Sequence, residues 1–467
     1  MNRNLQRFFV LLWIAVLPIC LLAMNGEGAI SADLLQEFQE SLKMNEMTKA
    51  AQNAATETSM RSLILNREMV NRADDHFNFR IDTKKITDQK TTGRCWIYAA
   101  LNMMRPAAMK ALAVSEIEFS QNYLFFYDKL EKANMFLETI IETADRPIDD
   151  RELHLMLESP IADGGWWTFV VALIEKYGIV PNEIMPETVN CEKSRYMNFL
   201  LNNVLRKDAY VLREMASKGK KTKALRKEKE QMLAEFYRLL AIHLGTPPQE
   251  FTWRYQNKKK ELISETYTPL SFLEKTADFD LGNFITIANH PSHEMDTHYK
   301  IKYCRNFADL PDMHFLNLEM DRLKEFSLTM VLDSVPVWFA ADTRHDMERD
   351  HGIMAPGIYD YKSLFGVDFT LPKKARFEYR GSIPGHAMAL IGVDLENEQP
   401  RKWLVENSWG TDIGNKGYWT MYDAWFNEYI YVVIIDKQYL PDDVLALLET
   451  KAEELPLWDP ISTMLIQ

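Results

Sequence analysis

The stretch Asp88–Arg105, DQKTTGRCWIYAALNMMR, decides how the rest of the sequence is interpreted, because it places Cys95 at the expected start of a helix. The following run WIYAALNMM is apolar and uncharged, which predicts a buried helix that stops before Arg105 and Pro106. Cysteine is often buried as a small apolar side chain, but the partial positive charge of a helix N-terminus lowers a thiol pKa. Cys95 is therefore either a core residue or a nucleophile.

Length and composition limit what this cysteine can belong to. The chain has 467 residues, of which 47% are hydrophobic and 12% aromatic, so it can bury a large core in roughly two or three structural units. Its net charge is −13. Because proteins bind nucleic acid largely by neutralising phosphates with Lys and Arg, this acidity argues against nucleic acid as a partner.

The first residues have the pattern of a targeting segment. Arg3 and Arg7 precede the uncharged run Phe8–Met24, and small residues follow it. This pattern predicts a signal peptide over residues 1–28, cleaved between Met24 and Ala29, and hence export to the periplasm or the exterior. An uncleaved anchor and a cytoplasmic location are the alternatives. After cleavage we expect no stable membrane insertion.

Cleavage would leave three cysteines, Cys95, Cys191 and Cys304, in a compartment that permits disulfides. With an odd number, at least one thiol stays free or pairs with another molecule. If Cys191 and Cys304 pair with each other, Cys95 is the free thiol.

Metal binding has little support in the sequence. There is no Cys-x-x-Cys motif, and the stretch NHPSHEMDTH, which clusters His290, His293 and His298, matches no metal-ligand spacing that we can name. We therefore expect neither a metal nor another cofactor.

Helical patterns dominate the first half of the chain and strand patterns the second half. Helical spacing is found in residues 31–71, in QNYLFFYDKLEKANMFLETIIETA, in WTFVVALIEKYG and in the basic segment within residues 192–245. From about residue 328, short apolar runs bounded by Pro, Gly, Asp and Asn predict strands: LTMVLDSVPVWFAAD, HAMALIGVDL, KWLVENSW, GYWTMY and YIYVVIID. The order of elements predicts an α+β fold.

Three further residues have the chemistry that a cysteine nucleophile requires. Gln89 lies six residues before Cys95, and its amide with the Cys95 N–H would form an oxyanion hole. His386 begins a strand pattern and is a candidate base. Asn407 follows on the next strand pattern, close to Trp409, where antiparallel pairing would let its carbonyl orient the imidazole.

These segments resemble the catalytic blocks of a known family. QKTTGRCW, GHAMALIGV and VENSWGTDIGNKGYW are similar to those of papain-like cysteine peptidases. Cys95 and His386 are 291 positions apart, whereas papain-type enzymes separate the two by roughly 130 to 150. The extra length, the block FSQNYLFFYDKLEKAN and the ending LPLWDPISTMLIQ resemble the bleomycin hydrolase and aminopeptidase C family from about residue 60 onward.

The resemblance implies a papain-like two-lobe architecture: a helical lobe and a β-barrel-like lobe, with a large helical and hook-like insertion and a C-terminal arm. The implied boundaries are the signal peptide 1–28, an N-terminal segment and helical catalytic lobe 29–190, the insertion 191–325, the β-rich catalytic lobe 326–445 and the arm 446–467.

The resemblance also implies the roles of the four residues. Cys95 would attack the scissile carbonyl and form a thioester, while His386 would serve as general base and then general acid. Asn407 would orient His386, and Gln89 would help to hold the oxyanion. Beside the catalytic histidine the sequence departs from the family pattern, because Gly385 precedes the histidine where threonine is common.

The segment Asp163-Gly164-Gly165 matches the block that forms the cleft wall in the family, where the glycines would let a substrate backbone lie close. Trp166 and Trp167 stand where smaller side chains are expected. We therefore expect them to narrow the cleft.

Family members are similar to papain in their core and form homohexamers whose active sites face an internal cavity. The resemblance thus implies a thiol aminopeptidase acting on peptides, with an arm, here Trp458–Gln467, lying in the cleft and Gln467 meeting the substrate's α-ammonium. The ending ISTMLIQ departs from the usual small residues. The alternatives are an idle scaffold that binds peptides, or nucleic acid through Lys218–Lys229, and an endopeptidase or peptidyl transferase with an open cleft.

Overall fold

The computed structural model describes residues 28–276 and 280–465. Gln467 and nearly all of the expected signal peptide lie outside the described residues. The chain divides into two compact units, one formed in the described residues by 28–65 with 360–368, the other by Asn66–Tyr359 with the chain from Phe369 onward. Within the described ranges, no helix has both the length and the apolar character required to cross a membrane.

The small unit consists of short helices whose side chains are mostly exposed. Ser31 and Asn45 cap the first two helices by accepting hydrogen bonds from backbone N–H groups three residues later. The described helices of this unit are Ala32–Ser41, Glu46–Glu57, Met60–Leu63 and Tyr361–Phe365.

The large unit combines helices with one long sheet. Its described helices are Arg67–Arg72, Cys95–Ala111, Gln121–Glu142, Arg151–Glu158, Trp167–Tyr177, Val189–Glu192, Arg195–Ser217, Thr222–Leu244, Pro269–Thr276, Met320–Leu332, Lys373–Glu378, Asp423–Tyr429 and Asp442–Leu448, with 3-10 turns at Leu281–Asn283, Lys437–Tyr439 and Pro460–Leu465.

The described strands are β1 (Phe79–Arg80), β2 (Phe251–Gln256), β3 (Leu262–Tyr267), β4 (Phe284–Ala288), β5 (Thr297–Ile301), β6 (His314–Asn317), β7 (Val337–Ala341), β8 (Met347–Glu348), β9 (Ile353–Met354), β10 (His386–Glu396), β11 (Gln399–Glu406), β12 (Tyr418–Tyr422), β13 (Ile430–Asp436) and β14 (Glu453–Leu455). β2 and β3 form a separate hairpin. The others form a sheet in the order β14-β5-β6-β4-β13-β7-β10-β11-β12-β9-β8, with β1 beside β10.

The core lies between this sheet and the helix Cys95–Ala111. Residues 95–105 of the helix are all buried, as the uncharged run WIYAALNMM predicts. The central strands β7, β10 and β13 are likewise buried along almost their whole length, which explains their continuous apolar sequences. The helix N-terminus and the start of β10 meet in this layer.

Two boundaries predicted from the sequence are wrong. The helix that begins at Cys95 does not stop before Pro106 but continues to Ala111. Pro106 removes one N–H from the helix, but buried side chains on both sides of it keep the segment packed in the core. The run LTMVL belongs to the helix Met320–Leu332, and only the later part of that segment forms β7. A short apolar run alone does not distinguish a buried strand from a buried helix.

The long segment 192–245 forms the two helices Arg195–Ser217 and Thr222–Leu244, which pack on each other and on Gln121–Glu142. Glu138 ties the basic helix to its neighbour by accepting hydrogen bonds from Lys229 and Arg226. The helix Trp167–Tyr177 ends at Gly178, which has φ of 73° and lies against Pro269, so any larger side chain there would meet backbone atoms.

Candidate active site

A cleft in the large unit brings the sequence-predicted residues together. Its lining includes Gln89, Cys95 and Gly164 from one side and His386 and Trp409 from the sheet side. The remaining lining residues are Thr92, Gly93, Asp342, Thr343, Arg344, Ile383 and Gly385. A cysteine, an imidazole and an amide thus share one partly enclosed space.

Cys95 is the first residue of its helix and is only 4% exposed. The helix N-terminus was expected to lower the pKa of the thiol. Burial has the larger effect and raises the pKa of Cys95 to about 11, while the backbone N–H groups of Ala387 and Trp96 act in the opposite direction. In the free protein the sulfur therefore carries its proton and needs a base beside it.

The strand pairing positions that base and its orienting residue. His386 begins β10 and Asn407 directly follows β11; the two strands are antiparallel, with Ala389 opposite Glu406. His386 Nε2 lies 2.8 Å from Asn407 Oδ1. This oxygen also accepts the N–H of Ser408 at 2.7 Å, which fixes the orientation of the amide.

This orientation determines the tautomer of the imidazole. Because Asn407 presents an acceptor, Nε2 of His386 must carry the hydrogen, which leaves Nδ1 with a lone pair for the thiol proton. Burial lowers the pKa of His386 to about 4, although the Asn407 hydrogen bond acts to raise it. The imidazole is thus a neutral acceptor at neutral pH.

An aromatic cover lies over this pair. The ring of Trp409 is 4.7 Å from that of His386, and the guanidinium of Arg349 lies 4.9 Å from the Trp409 ring. The indole shields the His386–Asn407 hydrogen bond from water, and a hydrogen bond is stronger where water is excluded.

Both the nitrogen and the oxygen of the Gln89 side-chain amide make hydrogen bonds within the protein. Its Nε2 donates to the carbonyl of Thr92 at 2.6 Å, and its Oε1 accepts from Ser408 Oγ at 2.6 Å. Since Ser408 also donates to Asn407, this serine connects the amide near Cys95 to the residue that orients His386. The second N–H of Gln89 is available to an oxygen in the cleft.

A buried ion pair joins the helix of Cys95 to the strand before Asn407. Arg105 is 1% exposed and donates to Glu406 Oε1, and it also donates to the carbonyl of Lys85. Burial raises the pKa of Glu406, and the Arg105 charge acts against this. The pair links the helix that carries the proposed nucleophile to the strand that precedes the residue orienting His386.

The segment Asp163-Gly164-Gly165 forms the wall in a different way from the one predicted. Gly164 lines the cleft, but a Cβ on Gly165 would lie 2.6 Å from the Trp96 ring, so this glycine allows close packing. The carboxylate of Asp163 is buried and bonded to Lys129 at 2.8 Å. Asp163 therefore supports the wall from inside the protein.

The surroundings of Asp163 keep it charged. Burial raises its pKa, but the Lys129 ammonium, with Ser194 and Asn198 as donors, holds the pKa well below its usual range. The carboxylate also accepts the N–H of Gly93, in the loop before Cys95, at 3.3 Å. Through Asn198, the Asp163 carboxylate connects this loop to the helix Arg195–Ser217.

The expectation about two large side chains does not hold in the described residues, and the disulfide that the sequence left open does not form there. Trp166 and Trp167 are each 1% exposed and pack near Trp338, outside the lining of the cleft, so the prediction that they narrow it is wrong. Cys191 and Cys304 do not pair: the first donates to Asn122 and the second lies beside Met313.

The histidine-rich stretch contributes two of three side chains that form a potential ligand set in the large unit. The ligand atoms of His290, His293 and Asp459 all lie within 4.8 Å of one another, an arrangement that could hold a metal ion. Each Nε2 atom is at hydrogen-bond distance from the carboxylate instead. Asp459 is 169 positions from His290 and 166 from His293 in the sequence, so no local spacing indicated it.

Sequence reasoning did not find the residues that connect the cleft to its surroundings. Ser382 donates to Asp342, whose carboxylate also accepts the N–H of Ile383 at the cleft lining. The position of Ser408 next to Asn407 was a usable signal. Asp342 and Ser382 stand in segments with no pattern that marks them.

Comparison with known proteins identifies a family and several similar chains. A model of the peptidase C1-like family matches residues 29–462. Aminopeptidase C of Streptococcus thermophilus is 36% identical over 442 residues, covering 93% of this chain and 99% of the relative, and that of Listeria monocytogenes is 38% identical over 91% and 94%. The crystal structure of PepW from Lactobacillus rhamnosis has a TM-score of 0.91 at 37% identity, covering 93% of this chain and 99% of that one.

Proposed function

This chain belongs to the peptidase C1-like family and is a papain-like cysteine aminopeptidase, and we propose that Cys95, His386, Asn407 and Gln89 carry out the hydrolysis. The observation that carries the proposal is the His386–Asn407 hydrogen bond of 2.8 Å, in a cleft shared with the Cys95 thiol at a helix N-terminus. It leaves Nδ1 of His386 as the acceptor that a buried, protonated thiol requires.

In the first half of the reaction, the thiol proton passes to Nδ1 of His386 while the sulfur attacks the scissile carbonyl carbon. The oxyanion that forms accepts hydrogen bonds from the Gln89 amide and the backbone N–H of Cys95. The imidazolium then gives its proton to the leaving amine, the C–N bond breaks, and an acyl thioester remains on Cys95.

In the second half, a water molecule loses a proton to His386 as its oxygen attacks the thioester carbonyl. The C–S bond breaks, the sulfur recovers the proton from the imidazolium, and the carboxylic acid product leaves. Asn407 holds the imidazole in one tautomer throughout both halves.

The C-terminal arm is the proposed reason for aminopeptidase selectivity. Trp458–Gln467 would occupy the end of the cleft beyond the substrate's first residue, leaving room for a free N-terminus only. Burial of Ile461 and the pairing of β14 with β5 support a fixed course for the arm up to that point. An arm that did not occupy the cleft would give an endopeptidase or peptidyl transferase.

One set of substrates tests this function against the alternatives. Aminoacyl arylamides and peptides with free or acetylated N-termini are offered to the wild type, to Cys95→Ala and to a variant lacking residues 463–467. We expect the wild type to hydrolyse substrates with free N-termini far faster than acetylated ones and Cys95→Ala to hydrolyse neither. We expect the truncated variant to cleave acetylated peptides as well. Cys191→Ser is the matched thiol control, because serine retains the hydrogen bond to Asn122.

The result separates the classes of protein. A wild type that turns over neither substrate set is the idle scaffold, and one that cleaves acetylated peptides equally well is an endopeptidase. Activity retained in Cys95→Ala removes the proposed nucleophile. A truncated variant that still refuses acetylated peptides removes the proposed role of the arm.

The proposal has three further parts. They are export, a homohexamer, and lobe boundaries at 29–190, 191–325 and 326–445. The adjacent exposed rings of Tyr196 and Phe199, which stack 6.0 Å apart on the surface of the insertion, support an assembly contact there. The molar mass in solution tests the hexamer. N-terminal sequencing of the protein from its native host tests export, and an intact Met1 in the cytoplasmic fraction contradicts it.

A further inference from the structure

The histidine-rich stretch of residues 289–298 contacts the C-terminal arm at separate points. His298 Nδ1 lies 3.1 Å from the carbonyl of Thr450, just before the arm's strand β14. β14 pairs in parallel with β5, which begins at Thr297. His290 and His293 contact Asp459, nine residues beyond Thr450. A stretch with no catalytic role therefore follows the arm along its course.

Asp459 is the point of closest attachment. His290 Nε2 lies 2.8 Å from one carboxylate oxygen and His293 Nε2 lies 2.9 Å from the other. The N–H of Ile461 donates to the first oxygen at 3.0 Å. Burial raises the pKa of Asp459, but these donors outweigh it and hold the pKa well below its usual range. The carboxylate is an anion with three donors.

Both imidazoles are held by the protein around them. Asn317 accepts the N–H of His290 at 2.7 Å and donates to the carbonyls of His290 and His293. The ring of His290 is fully buried and packs edge-on against Phe377 at 4.8 Å, while that of His293 lies 5.3 Å from Tyr299. These contacts orient both rings independently of the arm residues that follow Asp459.

This cluster lies one short segment away from the cleft. Phe377, which packs on His290, begins a stretch whose Arg380 donates to the carbonyl of Trp458 in the arm at 2.9 Å. Three residues later, Ile383 lines the cleft with Cys95 and His386. The stretch from Phe377 to Ile383 therefore contacts the arm at Trp458 and reaches the cleft at Ile383.

The tautomer of His290 favours a hydrogen-bonded cluster over a metal site. The N–H of Ser292 lies 3.4 Å from Nδ1 of His290, so Nδ1 is an acceptor and Nε2 carries the hydrogen that Asp459 accepts. A metal bound at Nε2 would need the opposite tautomer.

We propose that His290 and His293 are positioning residues that hold Asp459, and with it the C-terminal arm, beside the cleft, so that discrimination against N-terminally blocked peptides depends on these two imidazoles. This proposal rests on the proposed aminopeptidase function. The carboxylate of Asp459 docks between two imidazole N–H donors, and the segment after Asp459 takes its direction from that contact.

The test uses His293, because its side chain is 27% exposed and its replacement disturbs the core least. His293→Ala, His293→Gln and the histidine control His243→Ala are made in the full chain and in the chain lacking residues 463–467. The measurement is kcat/KM for one peptide arylamide with a free and with an acetylated N-terminus. Hydrogen exchange of residues 453–465 gives a second readout that needs no activity.

We expect His293→Ala to lower the ratio of kcat/KM for the free substrate to that for the acetylated substrate about tenfold. A hydrogen bond to a charged group contributes enough free energy for a change of this size. His293→Gln, which keeps an N–H donor, should recover most of the ratio, and His243→Ala should leave it unchanged. In the truncated chain His293→Ala should have no further effect. Exchange in residues 453–465 should be faster in His293→Ala only.

Other results overturn the proposal. A wild-type ratio retained in His293→Ala, with unchanged exchange of residues 453–465, means that the cluster does not hold the arm. A wild type stabilised by zinc ions, with that stabilisation lost in His293→Ala, makes the cluster a metal site instead. If the wild type itself lacks activity, the proposed function fails, and the exchange experiment alone decides whether the imidazoles hold the arm.

Discussion

His386 and Asn407 form the hydrogen bond that defines this active site: Nε2 of the imidazole lies 2.8 Å from Oδ1 of the amide. The N–H of Ser408 donates to the same oxygen, which disfavours a flip of the Asn407 side-chain amide. The imidazole therefore presents Nδ1 to the cleft. This tautomer permits proton transfer from the Cys95 thiol.

Replacing Asn407 with alanine should lower kcat on the order of 10²-fold with little change in KM, because the imidazole loses its fixed orientation and general-base catalysis depends on it. Steady-state kinetics with an aminoacyl arylamide measures both constants. Asn203→Ala, on an exposed helical face, is the matched control. A kcat close to that of the wild type would show that Asn407 does not orient the base.

Gln89→Ala should lower kcat by about 10²–10³-fold, the usual effect of removing one oxyanion donor. Gln89→Glu, which keeps the shape of the side chain but removes its N–H groups, should be similarly slow. Gln231→Ala, on an exposed helix surface, controls for loss of an amide. Normal kcat in Gln89→Glu would exclude the amide as a donor to the oxyanion.

Activity should persist well below the pKa of an ordinary histidine. Burial lowers the pKa of His386 to about 4, so the base is neutral above that pH and is lost as the pH falls through it. The acid limb of kcat/KM should lie near this value. Asn407→Asp, which places a carboxylate beside the imidazole, should move the limb to higher pH. A wild-type limb near the usual histidine pKa would contradict the assignment.

The pair Arg105–Glu406 should matter for stability and, through it, for the site. Arg105→Met leaves a buried carboxylate without its partner and should lower the free energy of unfolding by about 3–5 kcal/mol. The double variant Arg105→Met/Glu406→Gln should recover much of the loss. Denaturant unfolding measures both, and equal losses in single and double variants would show that the ion pair is not the cause.

Much of the site was predictable because its signals are local. One cleft is predicted from three local features. They are Cys95 before an apolar run, Gln89 six residues earlier, and two neighbouring strand patterns that begin with His386 and end at Asn407. The antiparallel pairing of β10 with β11 places Asn407 beside His386, as two neighbouring strand patterns predict.

What the sequence did not reveal depends on distant contacts. The burial of Trp166 and Trp167 and the Asp163–Lys129 ion pair follow from the packing of helices far apart in the chain. Pro106 ordinarily marks a helix end, and buried neighbours override that tendency. Burial also reverses the expected pKa shift of Cys95, since a helix terminus stabilises a thiolate less than loss of water destabilises it.

The central claim is that the acyl group of the substrate becomes attached to the sulfur of Cys95. An aminoacyl ester is mixed with the enzyme, the reaction is stopped with acid within one turnover, and the modified peptide is identified by mass spectrometry. The account predicts one acyl group on the peptide that contains Cys95, and none in Cys95→Ala. An acyl group on another residue, or turnover that continues without Cys95, would contradict it.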